Sequence, residues 1–261
     1  MPRSAPFIVL LVLIAASAFA LGSDTPAAAL FFAGAVTGLS AALILLHRGA
    51  PGGLALAGLS AAALLWVIGL ANGWVASGAG EYATLAGAFA VFAAAQIAAR
   101  DHKTAQALWA ATLTVGLIVS AVAFLDFITS PETMATFDRP YHRSRLSTPF
   151  LSANTAATFY GLIALVSLAD LIRVVRRFEP KGRGAIEQLS RSAALPIAAL
   201  LVSLTCVFLS ASRAGATFLA AAILVLVSWE LFRGVSGGER LNIRTAGLTI
   251  GAIGLGAMVF A

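Results

Sequence analysis

Apolar runs of about 20 residues, broken only by short polar turns, fill almost the whole of this chain. Of its 261 residues, 60% are hydrophobic and 11% charged, so the runs are apolar on every side rather than along one stripe. A helix of that kind must face lipid or lie inside a bundle. Within hydrocarbon every backbone N–H and C=O has to be satisfied by the segment itself, which leaves the helix as the solution for such runs. The predicted fold is therefore all-α, a polytopic transmembrane helix bundle, and a soluble domain is excluded.

Helices are predicted at about 6–22, 26–46, 52–71, 82–99, 105–129, 149–172, 193–211, 214–232 and from 246 to the end, giving about nine spans. Turn signals separate them at Gly22-Ser23-Asp24, Gly49 to Gly52, Asn72-Gly73 and the polar stretch Pro131 to Ser147. Basic residues mark every second loop: His47-Arg48, Arg100 to Lys103, the six between Arg173 and Arg191, and Arg233 to Arg244. Positive charge favours the cytoplasmic face, so this alternation sets the N-terminus inside. Near the N-terminus, Met1 to Arg3, the apolar stretch Phe7 to Phe19 and Ala18-Phe19-Ala20 imitate a cleavable signal peptide. Gly22 to Thr25 leads straight into another span, as after a signal anchor. Both readings leave the second span running from outside to inside.

The formal charge of +6 is largely explained by this orientation and gives no reason to expect nucleic acid. Cys206, the single cysteine, lies mid-span, so neither a disulfide framework nor a thiol metal site is expected. Three histidines scattered at 47, 102 and 142 make no local metal motif. Residues 1–261 read as a single transmembrane domain. Its last run, Ala246 to Ala261, is short for an untilted span and ends without a polar anchor. It reads either as part of a C-terminally incomplete domain or as a short helix accommodated by mismatch.

Four of the seventeen Lys and Arg fall on the outward side of this topology: Arg139, Arg143, Arg145 and Arg213. Arg139 and Arg143 have local acidic neighbours in Asp138 and Glu132. Arg145 stands just before Thr148-Pro149, where Pro suits a first helical position and Ser147 or Thr148 suits a cap. On that reading Asn154 lies about one and a half turns into the helix, roughly 8 Å at ~1.5 Å per residue. Asn154, Ala157, Thr158 and Gly161 then share one small, mildly polar face, suited to helix packing or to a ligand. Leu209-Ser210-Ala211-Ser212-Arg213-Ala214-Gly215 joins two apolar runs with almost no loop and holds Arg213 at the outer interface. A charge there is paired, functional or snorkelling to headgroups. The acidic candidates for an internal partner are Asp126, at the outer end of the fifth run, Glu132 and Asp138; Asp126 paired with Arg213 is the structural alternative to a substrate role.

The segment Arg145-Leu146-Ser147-Thr148-Pro149-Phe150-Leu151-Ser152-Ala153-Asn154-Thr155-Ala156-Ala157 resembles the R-x-x-G-x-F-x-N-P-N-x-x-A pattern of the O-antigen ligase and polymerase superfamily. Leu209 to Gly215 resembles that family's following L-T-x-S-R-G-A motif, in the same order and on the same face. The likeness covers about 145–225, and the earlier spans by hydropathy alone. Thr148 replaces the usual Gly, Ser152 an Asn and Ala153 a Pro, so the start of this helix is expected to be shaped differently.

The resemblance implies a glycosyltransferase of the bacterial inner membrane with its active face in the periplasm. It would use a polyprenyl-diphosphate-linked glycan as donor, and a saccharide or lipid A-core as acceptor. Arg145 and Arg213 would hold the diphosphate, with Asn154 and Ser212 in support, and neither a cofactor nor a metal is implied. Permanently charged, bidentate guanidinium groups suit a leaving diphosphate. The family's general base is a histidine in a large outer loop beyond the last run read here. Within this sequence His142 is the one outward histidine, and it lacks the family's context. Two other functions compete: a flippase or transporter of lipid-linked sugar, and a non-catalytic remnant that binds lipid-linked substrate. A transporter would carry inverted repeats and interrupted, polar helices, which the sequence does not display.

Overall fold

The computed structural model describes residues 5–19, 26–46, 52–71, 79–130, 133–134, 137–138, 144–150, 152–178 and 185–236. Eight helices lie among them: α1 (Ala5–Phe19), α2 (Pro26–Leu46), α3 (Gly53–Ala71), α4 (Ala79–Ala98), α5 (His102–Thr129), α6 (Ala153–Arg177), α7 (Ala185–Leu209) and α8 (Arg213–Ser236). Five of these, α3 and α5 to α8, contain stretches long and apolar enough to cross a membrane. The chain is a helical membrane protein by that measure. The ninth predicted span, from 246 onward, lies outside the described residues. In the predicted outward loop a two-residue antiparallel pair appears, β1 (Thr133–Met134) with β2 (Phe137–Asp138), which the sequence reading lacked.

The chain divides into two compact units, Met1–Val115 and Gly116–Ala261, with the boundary inside α5. In the first unit α4 is the central helix, lying against both α2 and α3. Its inner face is almost entirely alanine: Ala83, Ala86, Ala90, Ala93 and Ala94 are buried, whereas Phe89 and Phe92 are exposed. A Cβ on Gly58 of α3 would stand 3.0 Å from the Phe89 carbonyl oxygen and 3.1 Å from the Ala93 Cβ, so the backbones meet closely. Small residues inside and large apolar ones outside are what lipid requires, because tails solvate Leu and Phe as well as a core does. Asp101 starts α5, its carboxylate accepting from the Thr104 N–H at 3.2 Å and the Thr104 hydroxyl at 2.5 Å.

In the second unit α6 is central, packed on α7 and α8, with Gly116 of α5 against Ile163. Ala156, Ala157, Tyr160, Gly161, Ala164 and Ser167 form its buried face. Polar groups in the interior are paired: the Ser120 and Ser203 hydroxyls lie 3.0 Å apart, and the Cys206 thiol donates to the Ser120 carbonyl at 3.3 Å. Outward-turned side chains such as Phe218, Val225 and Trp229 are exposed, again as lipid demands.

Several boundaries differ from the sequence reading, α6 and α8 also running on to Arg177 and Ser236, and the starts of α7 and α6 have local causes. α7 begins at Ala185 rather than 193, since Glu187 and Arg191 pair at i, i+4 with 2.7 Å between charges, and Glu187 also favours the helix N-terminus. The charges taken for loop are a polar helical extension. α6 begins at Ala153 rather than 149: Thr148-Pro149 is a cis peptide inside a turn, and the Phe150 N–H bonds to the Ser147 carbonyl at 2.6 Å.

Candidate functional site

The C-terminal ends of α5 and α7 and the N-terminal ends of α6 and α8 come together at one end of the second unit. Segment 144–150 is anchored among them. The Leu146 N–H donates to the Leu209 carbonyl, the last residue of α7, at 2.9 Å, and the Leu146 side chain is fully buried. The Thr148 hydroxyl donates to Asp126 Oδ2 near the end of α5 at 2.7 Å, while the Tyr160 hydroxyl of α6 donates to the Thr148 carbonyl. Phe150 packs on Phe159 with ring centroids 5.3 Å apart. Arg145 is exposed at the start of this anchored segment.

The second motif is a tight turn from α7 into α8. Ser210, buried, donates its hydroxyl to the Val207 carbonyl at 2.6 Å, and Ala211 takes a left-handed φ of 48° to reverse the chain. Ser212 then caps α8: its Oγ accepts the Gly215 N–H at 3.0 Å, satisfying one of the free donors of the first turn. The same hydroxyl donates to Asn154 Oδ1 at 2.8 Å. Arg213 follows as the first residue of α8, exposed, as the sequence placed it.

The two motifs are thus joined twice, through the backbone at Leu146 and Leu209 and through side chains at Asn154 and Ser212. Behind that contact a Cβ on Gly215 would lie 2.4 Å from the Ala157 Cβ, and Gly161 faces Leu219. The small face read from Asn154, Ala157 and Gly161 is therefore the α6–α8 seam, although Thr158 points outward and bonds back to the Asn154 carbonyl at 3.0 Å.

No family model matches the chain, and neither a curated protein nor a solved structure matches it.

Three expectations need correction. Neither Ser147 nor Thr148 caps α6, and Pro149 does not begin it. Ser152 stands at the cap position without a side-chain hydrogen bond. Asn154 is accordingly the second residue of the helix, at its mouth, rather than one and a half turns inside. Asp126 is bound to Thr148, and among the described residues Arg213 forms no ion pair with it. Arg139, His142, Arg143 and Glu132 lie outside the described residues, as does the Asp138 side chain. Sequence reasoning weighed Thr148 as a cap and not as a tie to Asp126, and passed over Tyr160. The available signal was a tyrosine inside an apolar run, whose hydroxyl has to find an acceptor.

Proposed function

We propose that the chain is a membrane glycosyltransferase of the O-antigen ligase and polymerase type, working at the periplasmic face of a bacterial inner membrane. The proposed topology has about nine spans and a cytoplasmic N-terminus. Its donor is a polyprenyl-diphosphate-linked glycan, and its acceptor a saccharide or lipid A-core. The observation that carries the reading is the double joint between the motifs, which sets the exposed Arg145 segment beside the Ser212–Arg213 turn. Arg145 and Arg213 are both exposed at the end of the unit where α6 and α8 begin, and helix N-termini favour anions.

In the reaction an acceptor hydroxyl oxygen bonds to the anomeric carbon of the donor sugar. The bond from that carbon to the diphosphate oxygen breaks, and the hydroxyl proton passes to a base, for which His142 is the candidate in this sequence. Negative charge gathers on the departing polyprenyl diphosphate, and Arg145 and Arg213 stabilise it as it develops. Two permanently charged guanidinium groups do this without a divalent metal or cofactor.

Glycan transfer from a polyprenyl-diphosphate donor, measured in membranes carrying the chain, tests the reading. Arg145→Ala and Arg213→Ala should each lower transfer about 10- to 100-fold, the equivalent of about 1.5–3 kcal/mol for a charge-assisted contact. The Lys variants should retain part of it, since charge survives and the bidentate fork does not. Full transfer by both Ala variants would overturn the assignment.

A further inference from the structure

Thr148 receives two hydrogen bonds' worth of attention from different helices, and the arginine three residues before it is the only charged side chain in segment 144–150. We propose that Asp126 and Thr148 are positioning residues for Arg145, holding its segment in the register at which the guanidinium meets a lipid-linked diphosphate. The inference rests on the diphosphate reading of Arg145 and deepens it.

The geometry supports a dedicated clamp rather than incidental packing. Thr148 is 3% exposed, Tyr160 and Leu146 are fully buried, and each anchors a different side of the turn. Leu146 ties the segment to the end of α7, Asp126 ties it to α5 through the Thr148 hydroxyl, and Tyr160 ties it to α6 through the Thr148 carbonyl. A carboxylate acceptor makes the hydroxyl bond charge-assisted, stronger than a neutral pair. The hydroxyl that could have capped α6 is spent on this contact. α6 instead begins at Ala153, after the turn that the Phe150 N–H closes on the Ser147 carbonyl. Valine has the shape of threonine without the hydroxyl, so Thr148→Val removes the tie to Asp126 and keeps the β-branched shape.

The test is a double-mutant cycle on the full chain in detergent, with polyprenyl diphosphate as the probe and its dissociation constant as the readout. Thr148→Val and Asp126→Ala, which remove the donor and the acceptor of the tie, are each made in the wild-type and Arg145→Ala backgrounds. Residues that act through Arg145 lose their effect once Arg145 is gone, whereas a general packing defect adds to it. Either variant alone should weaken binding about 10-fold, a difference of ~1.4 kcal/mol. In the Arg145→Ala background the same change should weaken it less than about 2-fold. Thr148→Ser, which keeps the hydroxyl, should bind close to wild type. Equal factors in both backgrounds, or no loss in either, would overturn the positioning role. If Arg145→Ala alone leaves binding intact, the diphosphate reading itself fails, a result distinct from loss of the clamp. Should Thr148→Val not yield folded protein, the Asp126→Ala arm decides alone.

Discussion

Ser212 performs two tasks with one hydroxyl: its oxygen accepts the Gly215 N–H, and its hydrogen goes to Asn154. The capping of α8 and the joining of α8 to α6 are therefore a single event, and they depend on how closely the helices approach. Gly215 permits that approach, because any Cβ there would collide with Ala157 at 2.4 Å. Gly215→Ala should cost about 1–3 kcal/mol of stability, as overpacking does. Ala157→Gly in the same chain should recover most of the loss. Thermal unfolding in detergent reads both, and an undisturbed Gly215→Ala protein would contradict the packing described. At this scale the sequence grouped Arg145, Asn154, Ser212 and Arg213, of which Asn154 and Ser212 are in direct contact. It misjudged the depth of Asn154, because a turn at Thr148-Pro149 and a helix start there have the same local residue preferences. Partners outside the segment, Asp126, Tyr160 and Leu209, hold the turn in place.

The helix pair α6–α8 is fastened at both ends. Opposite the Asn154–Ser212 contact, Arg176 Nη1 lies 2.5 Å from Glu230 Oε2, an ion pair not aligned as a hydrogen bond, and Arg176 Nη2 donates to the Glu230 carbonyl at 3.2 Å. The glutamate is the more enclosed partner, its side chain 18% exposed against 33% for the arginine. Removing the arginine strands a carboxylate that water reaches poorly, whereas removing the carboxylate leaves a guanidinium that can turn to solvent. Arg176→Ala should accordingly lower thermal stability more than Glu230→Gln does, by about 1–3 kcal/mol in the former case. Equal losses would show that the asymmetry of burial is unimportant. Helix number and most boundaries among the described residues were legible, because apolar length in a membrane is dictated by thickness. The start of α7 was not, since Glu187 and Arg191 look like loop residues until the i, i+4 pair is considered.

For the molecule as a whole, the alternation of basic loops yields an orientation, and the second unit yields an end at which both motifs meet. The first is a proposal read from charge placement alone, since a bias in Lys and Arg is local information. The sequence reached the second only through motif resemblance, since the bonds from Leu146 to Leu209 and from Asn154 to Ser212 join residues about 60 positions apart. Proposed orientation and proposed site make one joint claim: a diphosphate arriving on the outer face is held between segment 144–150 and the turn into α8. Photo-crosslinking addresses that claim most directly. A photoreactive polyprenyl diphosphate is added to sealed vesicles of known sidedness, and the labelled peptides are mapped. The account predicts label on peptides spanning Ser144–Asn154 and Ser210–Gly215, obtained from the periplasmic side and competed by unlabelled polyprenyl diphosphate. Label confined to other segments, or reaching these only from the cytoplasmic side, would contradict it.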